Sequence, residues 1–185
     1  MKTLHLNVPL LLGALTLCGI VISSTQPSAV HAAVQPQSEL NAGVQHLTSL
    51  EKELSQLPEN VYERLEAIES IQKRLKTLEK APEINTGHWQ ALQGLSLYHL
   101  ANTRNEMGAS AVDYWTYVID VVEPLQHQAK LAFDGALKQT NTPQAIRAWS
   151  YFYRGELQFE YAEDPARQDF AKACELGYTQ ACTLK

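Results

Sequence analysis

The chain has 185 residues, 45% hydrophobic and 19% charged, with 15 Lys and Arg against 20 Asp and Glu for a net charge of −5. That length carries one domain with a sizeable core. A mildly acidic chain without a basic cluster is excluded from the usual binders of nucleic acid and anionic membrane.

Lys2, an apolar run over 8–22 and the polar stretch Ser23, Ser24, Thr25 and Gln26 follow the order of a secretory signal. The run is shorter than the roughly 20 apolar residues a membrane span needs. Val30-His31-Ala32 fits a signal-peptidase site, which predicts a cleavable signal over 1–32 and a mature chain from Ala33. The alternative is a lipid anchor on Cys18, since Leu15-Thr16-Leu17-Cys18-Gly19 loosely resembles the bacterial lipoprotein box. Leu17, however, stands where that box takes Gly, Ala or Ser. Loss of 1–32 removes Lys2 and no acid, so 153 residues with 14 basic and 20 acidic side chains remain, a net charge of −6. No later apolar stretch is long enough to cross a membrane, and the chain is expected in a periplasm or secreted.

After a short flexible lead over 33–38, a single all-helical domain is predicted over 39–185. Leu40, Val44, Leu47, Leu50 or Glu51, Leu54 and Leu57 recur in steps that place one apolar stripe on a helix, and Pro58 stops it. Val61, Leu65, Ile68, Ile71, Leu75 and Leu78 form a second stripe, so 39–80 reads as an N-terminal helical hairpin. The alternating charges between these positions read as a solvated face, or as a seam for a partner or second copy.

Middle helices are predicted over 86–138. Asn85-Thr86-Gly87 leads into a helix with Trp89, Leu92, Leu95, Leu100 and Ala101 on its apolar side, closed by Gly108. Ser110 and Asp113 resemble a capping box for the next, whose stripe reads Val112, Trp115, Ile119, Val122, Leu125, Ala129, Ala132 and Ala136. Pro124 falls inside it. Because the stripe keeps phase, one kinked helix or two short ones are expected there. Over 142–185, Thr142-Pro143 and Asp164-Pro165 are read as caps with proline in the first turn, bracketing a helix over about 144–161 and another ending at Gly177.

Beyond residue 32 the only cysteines are Cys174 and Cys182, and export would place them where disulfides persist. In one unbroken helix their α-carbons would lie about 12 Å apart, beyond the roughly 7 Å a disulfide spans. A bridge therefore needs the chain to turn at Gly177; the alternative is two buried thiols.

The stretch Ala166, Asp169-Phe170, Lys172-Ala173-Cys174, Gly177, Ala181-Cys182 resembles the second half of a Sel-like repeat, a relative of the tetratricopeptide repeat, in its secreted bacterial cysteine-rich form. The resemblance covers about residues 145–185 and one repeat. It implies antiparallel helical hairpins stacked as a short array, Gly155 at a close helix approach, and a disulfide of this spacing tying the repeat to the next helix. Trp89, Leu92, Gly94 and Tyr98 hint at an earlier, diverged repeat, although Gly94 is one place out of register. In such arrays the first helix of each repeat lines the concave face, which makes Trp149, Phe152, Glu156, Phe159 and Glu160 the candidate partner groove; core packing is the competing role for aromatics at helical spacing.

Motifs for chemistry are sparse. His88 and His99 share a helical face but stand about 16 Å apart along it, too far to share a metal, and HExxH and CxxC are absent. Ser49 with Lys52 and Ser70 with Lys73 match the serine-lysine spacing of β-lactam enzymes, some cysteine-rich relatives being described as binding or slowly hydrolysing β-lactams, but the companion elements are missing. The expectation is therefore a non-enzymatic periplasmic adaptor for a protein or peptide partner, without cofactor. An exported inhibitor or immunity protein and a weak β-lactam hydrolase are the alternatives.

Overall fold

The computed structural model describes residues 37–81, 84–159 and 161–184; the predicted signal, Cys18 and the flexible lead lie outside them. The described residues are helical throughout, without a strand, in the order α1 (Gln37–Leu54), α2 (Val61–Leu78), α3 (Thr86–Gly108), α4 (Tyr114–Tyr117), a π-helical segment (Val118–Val122), α5 (Glu123–Lys138), α6 (Gln144–Gln158), α7 (Glu163–Glu175) and a 3-10 turn (Thr179–Thr183). The all-α expectation holds. Among them, no helix is long and apolar enough to cross a membrane.

Asparagines start two helices. Asn60 Oδ1 accepts from the backbone N–H groups of Tyr62 at 3.0 Å and Glu63 at 3.2 Å, and Asn85 Oδ1 from His88 at 2.8 Å, each satisfying donors the first turn leaves open. The last turns of α1 and α2 converge on the first turn of α3. Glu53 pairs with Arg74, Glu51 Oε2 lies 3.1 Å from His88 Nε2, and Trp89 Nε1 donates to the Leu75 carbonyl at 2.8 Å. Leu47, Leu50, Leu54, Ile71 and Leu75 bury there against Ala91, Leu92 and Leu95.

The centre of the fold is the antiparallel pair α3 and α5. Gly87, Gly94, Ala101 and Gly108 fall seven residues apart on α3, making a narrow seam. A Cβ on Gly94 would lie 2.8 Å from the Phe133 ring, one on Gly87 1.8 Å from Thr142 Oγ1, and one on Gly108 2.1 Å from the Tyr117 ring. These glycines therefore set how closely the two helices approach. Gly108 also ends α3, as its position in the sequence predicts.

α6 and α7 form a second antiparallel pair, closed where Gly155 meets the Phe170 ring; a Cβ there would stand 2.7 Å away. Arg154 locks α5, α6 and α7 together. Its guanidinium donates to Asp169 at 2.7 and 2.6 Å and to Asp134 at 2.7 Å, while Gln158 Nε2 adds 2.9 Å to the buried Asp169. Burial opposes the Arg154 charge, but the two carboxylates outweigh it and hold the guanidinium above its ordinary pKa.

The Thr142-Pro143 and Asp164-Pro165 pairs do not cap as the sequence suggests. The Thr142 hydroxyl turns back to the Ala136 carbonyl at 2.7 Å and closes α5, leaving Pro143 at the head of α6. Asp164 and Pro165 lie inside the first turn of α7, after Ala162. At the other end of α7 the predicted corner is present. Gly177 has φ +101°, its N–H bonds Cys174 O at 3.0 Å, and the Tyr178 N–H bonds Ala173 O at 2.9 Å, the two bonds of a Schellman termination. That turn brings Cys174 and Cys182 to a Cα separation of 4.9 Å, and they form a disulfide.

Candidate functional site

Pro124 generates the site. Without an N–H it cannot bond the Asp120 carbonyl, and the chain widens before it into a π turn in which the Glu123 N–H reaches Val118 O, five residues back. A π turn holds one extra residue, which rotates the preceding stretch by about 100° against the following helix. The apolar stripe therefore loses phase at Pro124. Tyr117, rather than Trp115 or Ile119, faces α3, and Val122, Ala129, Phe133 and Ala136 carry the buried face onward. Val112 precedes the helix, which is capped by Asp113 through Thr116 N at 3.1 Å and not by Ser110. Trp115 is 74% exposed and Ile119 57%.

The rotated segment stands as one wall of a cleft of about 660 Å³. α3 supplies Tyr98, Asn102 and Asn105; α4 and the π turn supply Tyr114, Trp115, Val118 and Val122; Glu123 and Gln126 come from α5, and Glu156, Leu157 and Tyr161 from the end of α6 and just beyond. The walls are braced by their own contacts. Tyr114 donates to Asn105 Oδ1 at 2.7 Å and its ring lies 5.6 Å from that of Trp115. Tyr98 donates to Glu156 Oε2 at 3.4 Å and rests 5.0 Å from the Tyr153 ring. Burial, with the Glu156 charge beside it, holds the Tyr98 phenol above its usual pKa, so it stays a neutral donor.

The cleft continues into a shallower hollow of about 220 Å³ that shares Glu123, Gln126, Leu157 and Tyr161 and ends at His127 and Lys130. Together they form an elongated trough with aromatic and aliphatic walls and two carboxylates. Hydroxyls, amides and the two carboxylates make up more of the cleft's surface than the apolar walls do, and such converging polar groups fix the orientation of a bound segment.

Of the two roles weighed for the candidate groove residues, core packing is the one Trp149 and Phe152 take. Trp149 is 7% exposed and packs edge-on to Phe133 and Tyr153 at 6.3 Å each, and it borders a smaller hollow of about 300 Å³ beside His99 and Tyr178. Phe152 is wedged between Tyr178 at 4.8 Å and Phe170 at 5.9 Å. Phe159 is half-exposed against Phe170 on the α7 side. Only Glu156 reaches the cleft, and Glu160 lies outside the described residues. Packing of α6 between α5 and α7 consumes its aromatic face, so Trp149, Phe152, Glu156 and Phe159 do not form one groove.

Of the serine-lysine pairs, the Ser49 hydroxyl lies 3.3 Å from Glu53, and Ser70 and Lys73 sit exposed on α2. Among the described residues, no three His, Cys, Asp or Glu side chains gather as metal ligands. No family model, curated protein or solved structure matches the chain.

Proposed function

We propose that the protein is an exported helical adaptor that holds a segment of another protein in the cleft between α3, the π turn and the end of α6. It is a binding module rather than an enzyme. The observation that carries this is the outward rotation of Trp115, a residue type concentrated at protein contacts, onto the rim of that cleft. The disulfide between Cys174 and Cys182 supports an oxidising, extracytoplasmic setting. The likeness to secreted Sel-like repeats supports the same class, because stacked helical pairs are common scaffolds for holding peptides.

The test is affinity capture from the envelope fraction of the source cell with the exported protein and with Trp115→Ala. A partner recovered by the first and lost by the second is the expected result; identical recovery by both would overturn the cleft as the contact surface. Trp149→Ala is unsuitable here, since that ring is part of the core and its loss acts on folding.

A further inference from the structure

We infer that the cleft is selective for the cationic side chains of its partner, so that a lysine- or arginine-bearing segment is its occupant. This rests on the reading of the cleft as a protein-binding site and adds the chemistry of what it takes.

Three features converge. The lining carries two carboxylates, Glu123 and Glu156, and no lysine or arginine. Nearby cations are already engaged: Arg154 is committed to Asp169 and Asp134, and Lys130, at the shallow end, lies 3.0 Å from Asp134. The groove's own field is thus negative where a ligand enters, in a chain of net charge −5.

The aromatic walls match the same ligand. Tyr98, Tyr114, Trp115 and Tyr161 stand around the cleft, and the faces of such rings attract ammonium and guanidinium groups, most strongly for tryptophan. The protein makes this contact internally, where the Arg154 guanidinium lies 5.3 Å from the centre of the Tyr151 ring. An acidic segment would face repulsion from both carboxylates. A purely apolar one would strip water from Glu123 and Glu156 without replacing it, an unfavourable exchange for charged groups. A cationic segment satisfies rings and carboxylates together, its aliphatic stems lying on Val118, Val122 and Leu157.

The test uses three fluorescein-labelled peptides of about twelve residues that share one leucine pattern and differ only in carrying lysine, glutamine or glutamate at the remaining places. Fluorescence anisotropy is read with the wild-type protein, with Trp115→Ala and with Glu123→Gln combined with Glu156→Gln. The lysine peptide is expected to bind at least about tenfold tighter than the glutamate peptide and to weaken about tenfold when salt rises to roughly 0.5 M. Each variant is expected to lose about tenfold for the lysine peptide with an unchanged melting temperature. If the glutamine peptide binds as tightly as the lysine one, or the glutamine variant binds lysine peptide undiminished, cation selectivity is overturned while the cleft still stands as a site. If no peptide shows binding that depends on Trp115, both fall.

Discussion

Gly94 on α3 lies against the Phe133 ring of α5 so closely that a methyl group in place of its hydrogen would stand 2.8 Å from the ring carbons. The separation of the two central helices is set there. Gly94→Ala gains about 1 kcal/mol of helix propensity, but overpacking of a filled core costs about 1–3 kcal/mol, and Phe133 is fully buried. We expect a net loss of up to about 2 kcal/mol, read as a lower urea midpoint at unchanged slope.

Breaking the C-terminal corner has a separate signature. The loop closed by Cys174 and Cys182 spans eight residues of separation, for which chain entropy gives on the order of 2.5 kcal/mol. Reduction, or Cys174→Ala with Cys182→Ala, should lower the melting temperature and free the 3-10 turn. Hydrogen exchange should show Thr179–Thr183 losing protection while α3 and α5 keep theirs.

Arg154 presents the opposite asymmetry, because its removal leaves Asp169, only 6% exposed, with a single neutral partner in Gln158. Arg154→Met should cost about 3 kcal/mol, since stripping one member from a buried pair leaves an uncompensated charge. Adding Asp169→Leu should recover part of that loss. A double-mutant cycle on thermal denaturation reads the coupling directly.

Burial, helped by the charge of Arg64, pushes the His99 imidazole down to about 4 from 6.5. The folded protein thus keeps it neutral between those pH values while the unfolded chain takes up a proton. Stability must fall as pH drops through that window, at up to about 1.4 kcal/mol per unit and on the order of 3 kcal/mol in all. The lowered carboxylates Glu53 and Asp134 act below about pH 4.5. The range from 6.5 to 5 therefore isolates His99, and His99→Leu should flatten chemical-denaturation stability there.

The helices were legible in the sequence because their stripes recur at helical period, and Asn85, Gly108 and Gly177 mark real boundaries. The cleft was not. Reading Val112 through Ala136 as one stripe assumes a constant residues-per-turn, and Pro124 breaks that assumption by forcing a π turn whose extra residue swings Trp115 outward. The proline was the available signal, together with the clustering of Tyr114, Trp115 and Tyr117 just before it. For Phe152 and Trp149 the sequence left core and groove both open for a related reason: periodicity says which side chains share a face, but only the packing of α5 and α7 says that this face is covered. The Arg154 cluster was likewise hidden, since its partners lie 15 and 20 residues away on other helices.

The three tryptophans separate these environments in one spectrum. The Trp89 indole N–H bonds the Leu75 carbonyl, Trp149 is enclosed in the core, and Trp115 stands at the cleft. Nitrogen-proton NMR of the indole resonances during titration with the lysine-bearing peptide should move the Trp115 signal while leaving those of Trp89 and Trp149 in place. A titration that shifts Trp149 and leaves Trp115 fixed would contradict the account.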